Sequence, residues 1–120
     1  MEFKKNKPIY LQIVDYITEQ IMLDLWISDE RVPSVRDLAG EIEVNPNTVM
    51  RAFRSLEEKV ILYNKRGVGF FVSTNAKETI LEIDRSVFIN EDLPTLFNKM
   101  TLLGLDINDL VSEYKKKYSY

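Results

Sequence analysis

Val32-Pro33-Ser34-Val35-Arg36-Asp37-Leu38-Ala39, then Val44-Asn45-Pro46-Asn47-Thr48-Val49, then Arg66-Gly67-Val68-Gly69-Phe70-Phe71-Val72 decide how this chain folds. Ser34 is of the type that caps a helix N-terminus, and Asp37 stands three residues on, where it can complete a capping box. Val35, Leu38, Ala39 and Ile42 give that helix one apolar side. Asn45 caps a second helix, and Pro46 takes its first position, where a missing N–H costs nothing. The third stretch joins two strand-like runs, Ile61-Leu62-Tyr63-Asn64 and Phe70-Phe71-Val72-Ser73, through Lys65-Arg66-Gly67-Val68-Gly69. Helix, turn, helix and glycine-tipped hairpin, in that order, make a winged helix-turn-helix. Such a fold sets one helix and one hairpin loop against duplex DNA.

Working outward, Tyr10, Ile13, Val14, Ile17, Ile21 and Leu25 recur at helical spacing, which predicts a first helix from Pro8 to Leu25. Asp29 to Pro33 reads as a turn. In the helix after Asn45, Val49, Ala52, Phe53 and Leu56 form the apolar stripe. The opposite face carries Asn47, Met50, Arg51, Arg54 and Glu58, so two arginines and an asparagine precede the acid. Beyond Asn75 the strand signal disappears. Ile80, Leu81, Asp84, Val87 and Phe88 suggest one helix. Pro94 opens another, with Leu96, Phe97, Met100 and Leu103 on one side and Gly104 at its end. Ile107, Leu110, Val111, Tyr114 and Tyr118 make a third stripe, and Lys115-Lys116-Lys117 is a solvated end that complements the helix dipole. So short a segment cannot bury a core alone and must pack on the first domain, on a second copy, or on both. The predicted fold is therefore mostly α with a small β-hairpin: a winged helix-turn-helix over residues 1–74 and a helical tail over residues 75–120.

Composition limits the chemistry. Of the 120 residues 45% are hydrophobic and 29% charged, as in an ordinary folded globular chain. The absence of cysteine excludes a disulfide scaffold and a thiolate metal site, and the absence of histidine removes the commonest general base and metal ligand. The carboxylates are scattered over predicted helix surfaces, and no nucleophile–base pair stands out. No enzyme activity, cofactor or metal site is expected. The basic N-terminus, Met1 to Pro8, lacks the apolar region of a signal peptide, and no apolar run reaches membrane length, so a cytoplasmic chain without a membrane partner is expected. A net charge of −3 and a pI near 5.0 argue against a nucleic-acid partner. The distribution argues for one. From Val44 to Thr74 five basic residues face two acidic ones, a net +3, while Asn75 to Tyr120 is net −2.

These motifs, in their order and spacing, resemble the DNA-binding domain of GntR-type bacterial transcription regulators. That family shows a Pro-Ser-x-Arg-x-Leu-Ala helix, an Asn-Pro-x-Thr-Val step and an Arg-Gly-x-Gly-x-Phe-Val wing. Here these are Pro33 to Ala39, Asn45 to Val49 and Arg66 to Val72, and Pro8-Ile9-Tyr10-Leu11-Gln12-Ile13 is similar to the family's opening. The tail, with Glu91-Asp92-Leu93-Pro94 and Leu102-Leu103-Gly104-Leu105, resembles the YtrA-like subfamily, whose members dimerise through a short helical segment.

The resemblance implies a homodimeric regulator, a repressor, on a palindromic double-stranded operator. Its DNA contacts fall at Arg36, at Asn45, Asn47 and Thr48 where backbone and side chains meet phosphates, at Arg51 and Arg54, and at Lys65, Arg66 and Gly67 of the wing. Arg51 is the residue for base readout, since arginine pairs bidentately with guanine. The tail's dimer face takes Leu96, Phe97, Met100, Leu103, Leu110 and Tyr114. A small-molecule effector has no marked site, because the tail is too short to enclose a drug-sized pocket within one subunit. Asp24, Asp29 and Val60 stand where the family has glycine. Aspartate tolerates turns, but a β-branched residue resists the left-handed region, so the helix before Val60 is expected to end differently. The competing reading is a winged helix used as a protein-interaction module, which the acidic pI favours and the exposed arginines oppose.

Overall fold

Burial at positions 13, 17 and 21, then 38 and 42, then 49, 53 and 56 shows three amphipathic helices turned towards one core. In this computed structural model, which describes residues 1–119, they are α1 (Ile9–Met22), α2 (Val35–Ile42) and α3 (Pro46–Glu58). The hairpin β1 (Leu62–Lys65) and β2 (Gly69–Val72) follows, then α4 (Ala76–Val87), α5 (Leu93–Leu102) and α6 (Ile107–Lys117). The fold is mostly helical with one small antiparallel sheet, as predicted. The chain divides into two compact units, Met1–Glu82 and Ile83–Tyr120.

In the first unit, α1 and α2 pack against α3, and α3 also meets β1. The N-caps form as read, but the capping box at Ser34 does not close: among the described bonds the Asp37 side chain does not reach back to Ser34 N–H. Asp37 N–H donates to Ser34 Oγ at 3.0 Å, and Asn47 N–H donates to Asn45 Oδ1 at 2.8 Å, with Pro46 in the first turn. Pro8 is not inside α1 but one residue before it, its carbonyl accepting from Leu11 and Gln12 N–H. The buried Gln12 side chain fastens the preceding segment: its Nε2 donates to the carbonyls of Lys4 and Lys7, and its Oε1 accepts from Lys4 N–H.

The sheet pairs Leu62 with Val72 and Lys65 with Gly69. Leu62, Phe70 and Val72 face inward; Phe70 meets Phe53 edge to face, with ring centres 5.1 Å apart. The segment predicted as a turn, Asp29 to Pro33, does turn at its start, where Asp29 takes φ 65 and Glu30 N–H bonds Ile27 O, and then lines the free edge of β2. Arg31 stands opposite Phe71, and Asp29 and Val32 donate N–H groups to Val72 and Phe70. From Arg31 on, backbone pairing with a segment forty residues away takes over from the turn.

Helix ends correct two expectations. α1 stops at Met22, and Leu25 is exposed rather than part of its stripe. Asp24 takes φ 60, its N–H bonds Ile21 O, and Leu25 N–H bonds Gln20 O, the paired bonds of a Schellman stop. α3 ends the same way: Val60 takes φ 61, Val60 N–H bonds Glu57 O, and Ile61 N–H bonds Leu56 O. The helix thus ends as it would with glycine, and valine is held in the left-handed region because Leu56 and Ile61, both buried, anchor the turn from either side. Gly104 (φ 69) ends α5 by the same pair of bonds. Since the Val60 side chain is 65% exposed, Val60→Gly removes left-handed strain at the cost of greater chain entropy. Stability should rise by about 0.5–1 kcal/mol, read as a higher urea midpoint with unchanged slope. A lower midpoint would mean that the valine is unstrained.

In the second unit the expected break before Pro94 is absent. α4 runs into α5 through a π-helical segment, Phe88–Asp92, where Leu93 N–H reaches back to Phe88 O. Pro94 supplies no N–H and its ring crowds the carbonyl four residues back. The widened turn accommodates both without ending the helix. Among the described residues no helix is long and apolar enough to cross a membrane.

Candidate nucleic-acid interface

The stripe that buries Val49, Ala52, Phe53 and Leu56 obliges α3 to present its other face to solvent. That face carries exposed Asn47, Arg51 and Arg54, with half-buried Met50 between them and Glu58 at the far end. With Tyr10 of α1 they line an open groove of about 520 Å³. Tyr10, read in the sequence only as part of an apolar stripe, lies beneath Arg51: the guanidinium carbon is 3.9 Å from the ring centre. That cation–π contact fixes the arginine before any ligand arrives. It joins two helices, so no local periodicity could reveal it.

At the start of α3, the first backbone amides are engaged within the chain. Asn47 N–H is taken by the Asn45 side chain, and the N–H groups of Thr48 and Val49 bond the Asn45 carbonyl. With Pro46 carrying no N–H, the first turn offers its side chains rather than its amides. Asn45 retains its Nδ2 donors, Asn47 is exposed and Thr48 half-buried. Arg36 is exposed on the second residue of α2.

The wing narrows the predicted loop to Arg66-Gly67-Val68, since Lys65 and Gly69 pair as the last rung of the hairpin. Val68 N–H bonds Lys65 O at 2.9 Å, and Gly67 takes φ 78, a turn position that favours glycine. A Cβ at Gly67 would meet nothing within 4 Å, so conformation alone requires the glycine. Lys65, Arg66 and Gly67 are exposed. On the outer face of the sheet Tyr63 stacks on Phe71, with ring centres 5.5 Å apart. Desolvation, then the nearby Asp29 carboxylate, hold the Tyr63 hydroxyl above its ordinary pKa.

Electrostatics unite these elements. The described ion pairs are Lys7–Asp15, Lys77–Asp24 and Lys116–Glu113. Arg36, Arg51, Arg54, Lys65 and Arg66 belong to none of them. Cations outside the described ion pairs, on α2, α3 and a hairpin tip, suit a polyanion with regularly spaced charges. No group of three His, Cys, Asp or Glu side chains that could hold a metal occurs among the described residues.

The tail residues are placed as follows. Phe97, Leu103, Leu110 and Tyr114 are exposed, Leu96 is half-buried and Met100 is buried. No residue of α6 is buried.

The family profile of bacterial regulatory proteins, gntR family, matches residues 9–72. The HTH-type transcriptional repressor YtrA of Bacillus subtilis (strain 168) is 35% identical over 107 residues, 89% of this chain and 82% of that protein. The structure of a GntR family transcriptional regulator from Listeria monocytogenes superposes with a TM-score of 0.75 at 32% identity, covering 95% of this chain and 98% of that one. AraR(DBD) in complex with operator ORR3 superposes with a TM-score of 0.55 at 25% identity, over 61% of this chain and 88% of that one.

Proposed function

Because the chain belongs to the gntR family of bacterial regulatory proteins, we propose that it represses transcription as a cytoplasmic homodimer on a palindromic operator. One observation carries this reading: the exposed face of α3 sets Asn47, Arg51 and Arg54 along an open groove with Tyr10 holding Arg51, and Arg51 and Arg54 belong to none of the described ion pairs. Arg51, held over Tyr10, enters the major groove and reads guanine. Arg54, Arg36 and the side chains of Asn45, Asn47 and Thr48 grip the flanking phosphates. Lys65, Arg66 and Gly67 bring the wing to the minor groove, as wing and arm cations do. The AraR operator complex supports the assignment of this domain to DNA.

Dimerisation is supported by surface chemistry. Leu103 is 64% and Tyr114 59% exposed, and Phe97 and Leu110 extend the same apolar character. Exposed apolar side chains in this number call for a second surface. Two copies then read half-sites about 10 bp or a small multiple apart.

Arg51→Ala should raise the Kd for the operator by about 10- to 100-fold and relax preference at one base pair. Fluorescence anisotropy against a panel of single-base operator variants reads both effects. Unchanged affinity would remove α3's exposed face from base readout. The parent test uses the full chain on the duplex upstream of its own gene, with random duplex as control, at low and moderate salt. Selective binding at two chains per duplex is the expected result. No retention on any duplex at low salt would return the fold to the protein-interaction reading.

A further inference from the structure

The outer face of the wing sheet holds a cation that the sequence motifs leave unused. Arg31 lies on the free edge of β2, opposite Phe71. Alternation puts it on the same face as Phe71, Tyr63 and Lys65. Lys65 Nζ sits 4.4 Å from the centre of the Phe71 ring, so this face is already cationic.

Gly69 explains how Arg31 is held. It takes φ 144, and a Cβ built there would come within 2.9 Å of Arg31 Nε and 3.3 Å of Nη2. The guanidinium therefore occupies the space that a side chain at 69 would fill. The second glycine of the wing motif serves as a seat for an arginine as well as relieving the backbone. Arg31 is exposed and belongs to none of the described ion pairs. The nearby Asp29 carboxylate is engaged elsewhere, by the Thr74 hydroxyl at 2.8 Å and the Tyr63 hydroxyl at 3.4 Å. A guanidinium lying over Gly69 and outside the described ion pairs keeps its donors free for a ligand, and its planar fork matches an oxyanion.

We propose that Arg31 is a phosphate-binding residue of the wing, gripping the duplex backbone beside the loop that Arg66 and Gly67 form. The inference rests on the DNA-binding reading above and adds a contact from outside the three motifs. A backbone contact is independent of base sequence.

The test is anisotropy titration of the full chain, as wild type, Arg31→Gln and Arg31→Lys, on the operator and on random duplex across a salt series. Arg31→Gln should bind both duplexes about five- to tenfold more weakly, with a log K against log salt slope shallower by about one. Arg31→Lys should recover the slope but only part of the affinity, because a lysine cannot take the guanidinium's seat over Gly69. Circular dichroism checks that the variants fold. An Arg31→Gln chain with wild-type affinity and slope overturns the proposal. So does a loss confined to the operator, which would make Arg31 a base reader. A wild type that binds no duplex overturns the DNA-binding reading itself.

Discussion

Leu110→Asp combined with Tyr114→Asp should leave the protein as single 14.1 kDa chains in sedimentation equilibrium. The Kd for a duplex with two half-sites should then rise by about 10²- to 10⁴-fold, while binding to one isolated half-site stays unchanged. The reasoning begins with α6. Its ends are well made: the Asp106 side chain accepts from Asn108 and Asp109 N–H, Asp109 Oδ2 accepts from Asp106 N–H, and Lys115 to Lys117 occupy the last turn. Yet an eleven-residue helix is marginal without tertiary support, and none of its residues is buried. Ile107, Leu110, Val111 and Tyr114 all face solvent. In the proposed dimer, two copies sharing those surfaces would supply the missing support, and two buried carboxylates would remove it. The loss on the paired site is the lost advantage of tethering, since neither substitution touches α3 or the wing. A variant that still sediments as two chains with full affinity would show that α6 does not join the copies.

Phe53→Ala should cost about 3–5 kcal/mol of stability, read by urea unfolding. Phe53 is fully buried on the recognition helix and meets Phe70 of β2 at an interplanar angle of 77°. It thus joins the two elements proposed to approach DNA. Truncation leaves a cavity between them, so affinity should fall even after correction for the folded fraction. Phe53→Leu keeps most of the volume and should cost roughly 1.5 kcal/mol or less. A loss below about 1 kcal/mol for Phe53→Ala would mean that the site collapses freely.

The parts of the fold legible in the sequence are those governed by short-range chemistry. Ser34 and Asn45 cap their helices because an acceptor side chain two or three residues before a free N–H needs no tertiary help. The wing announces itself because Gly67 must adopt positive φ. The misreadings share a different cause. Asp29 does turn, but the residues that follow it join β2 through bonds from a distant strand, and nothing within the segment signals them. Val60 is forced left-handed by the packing of Leu56 and Ile61, a tertiary override of local preference. Tyr10 and Arg31 are illegible in the sequence for the same reason: the role proposed for each depends on a partner on another element, Arg51 in one case and Gly69 in the other.

The π-helical segment Phe88–Asp92 makes the number of residues matter in a place where it usually would not. A wide turn of this kind takes up one residue more than an α-helical turn. Losing that residue would return the backbone to ordinary winding and swing every later side chain by about 100° around the axis. Loops absorb a missing residue as slack. This stretch would convert it into a change of bearing, turning the row formed by Leu96, Phe97 and Met100 to a different side.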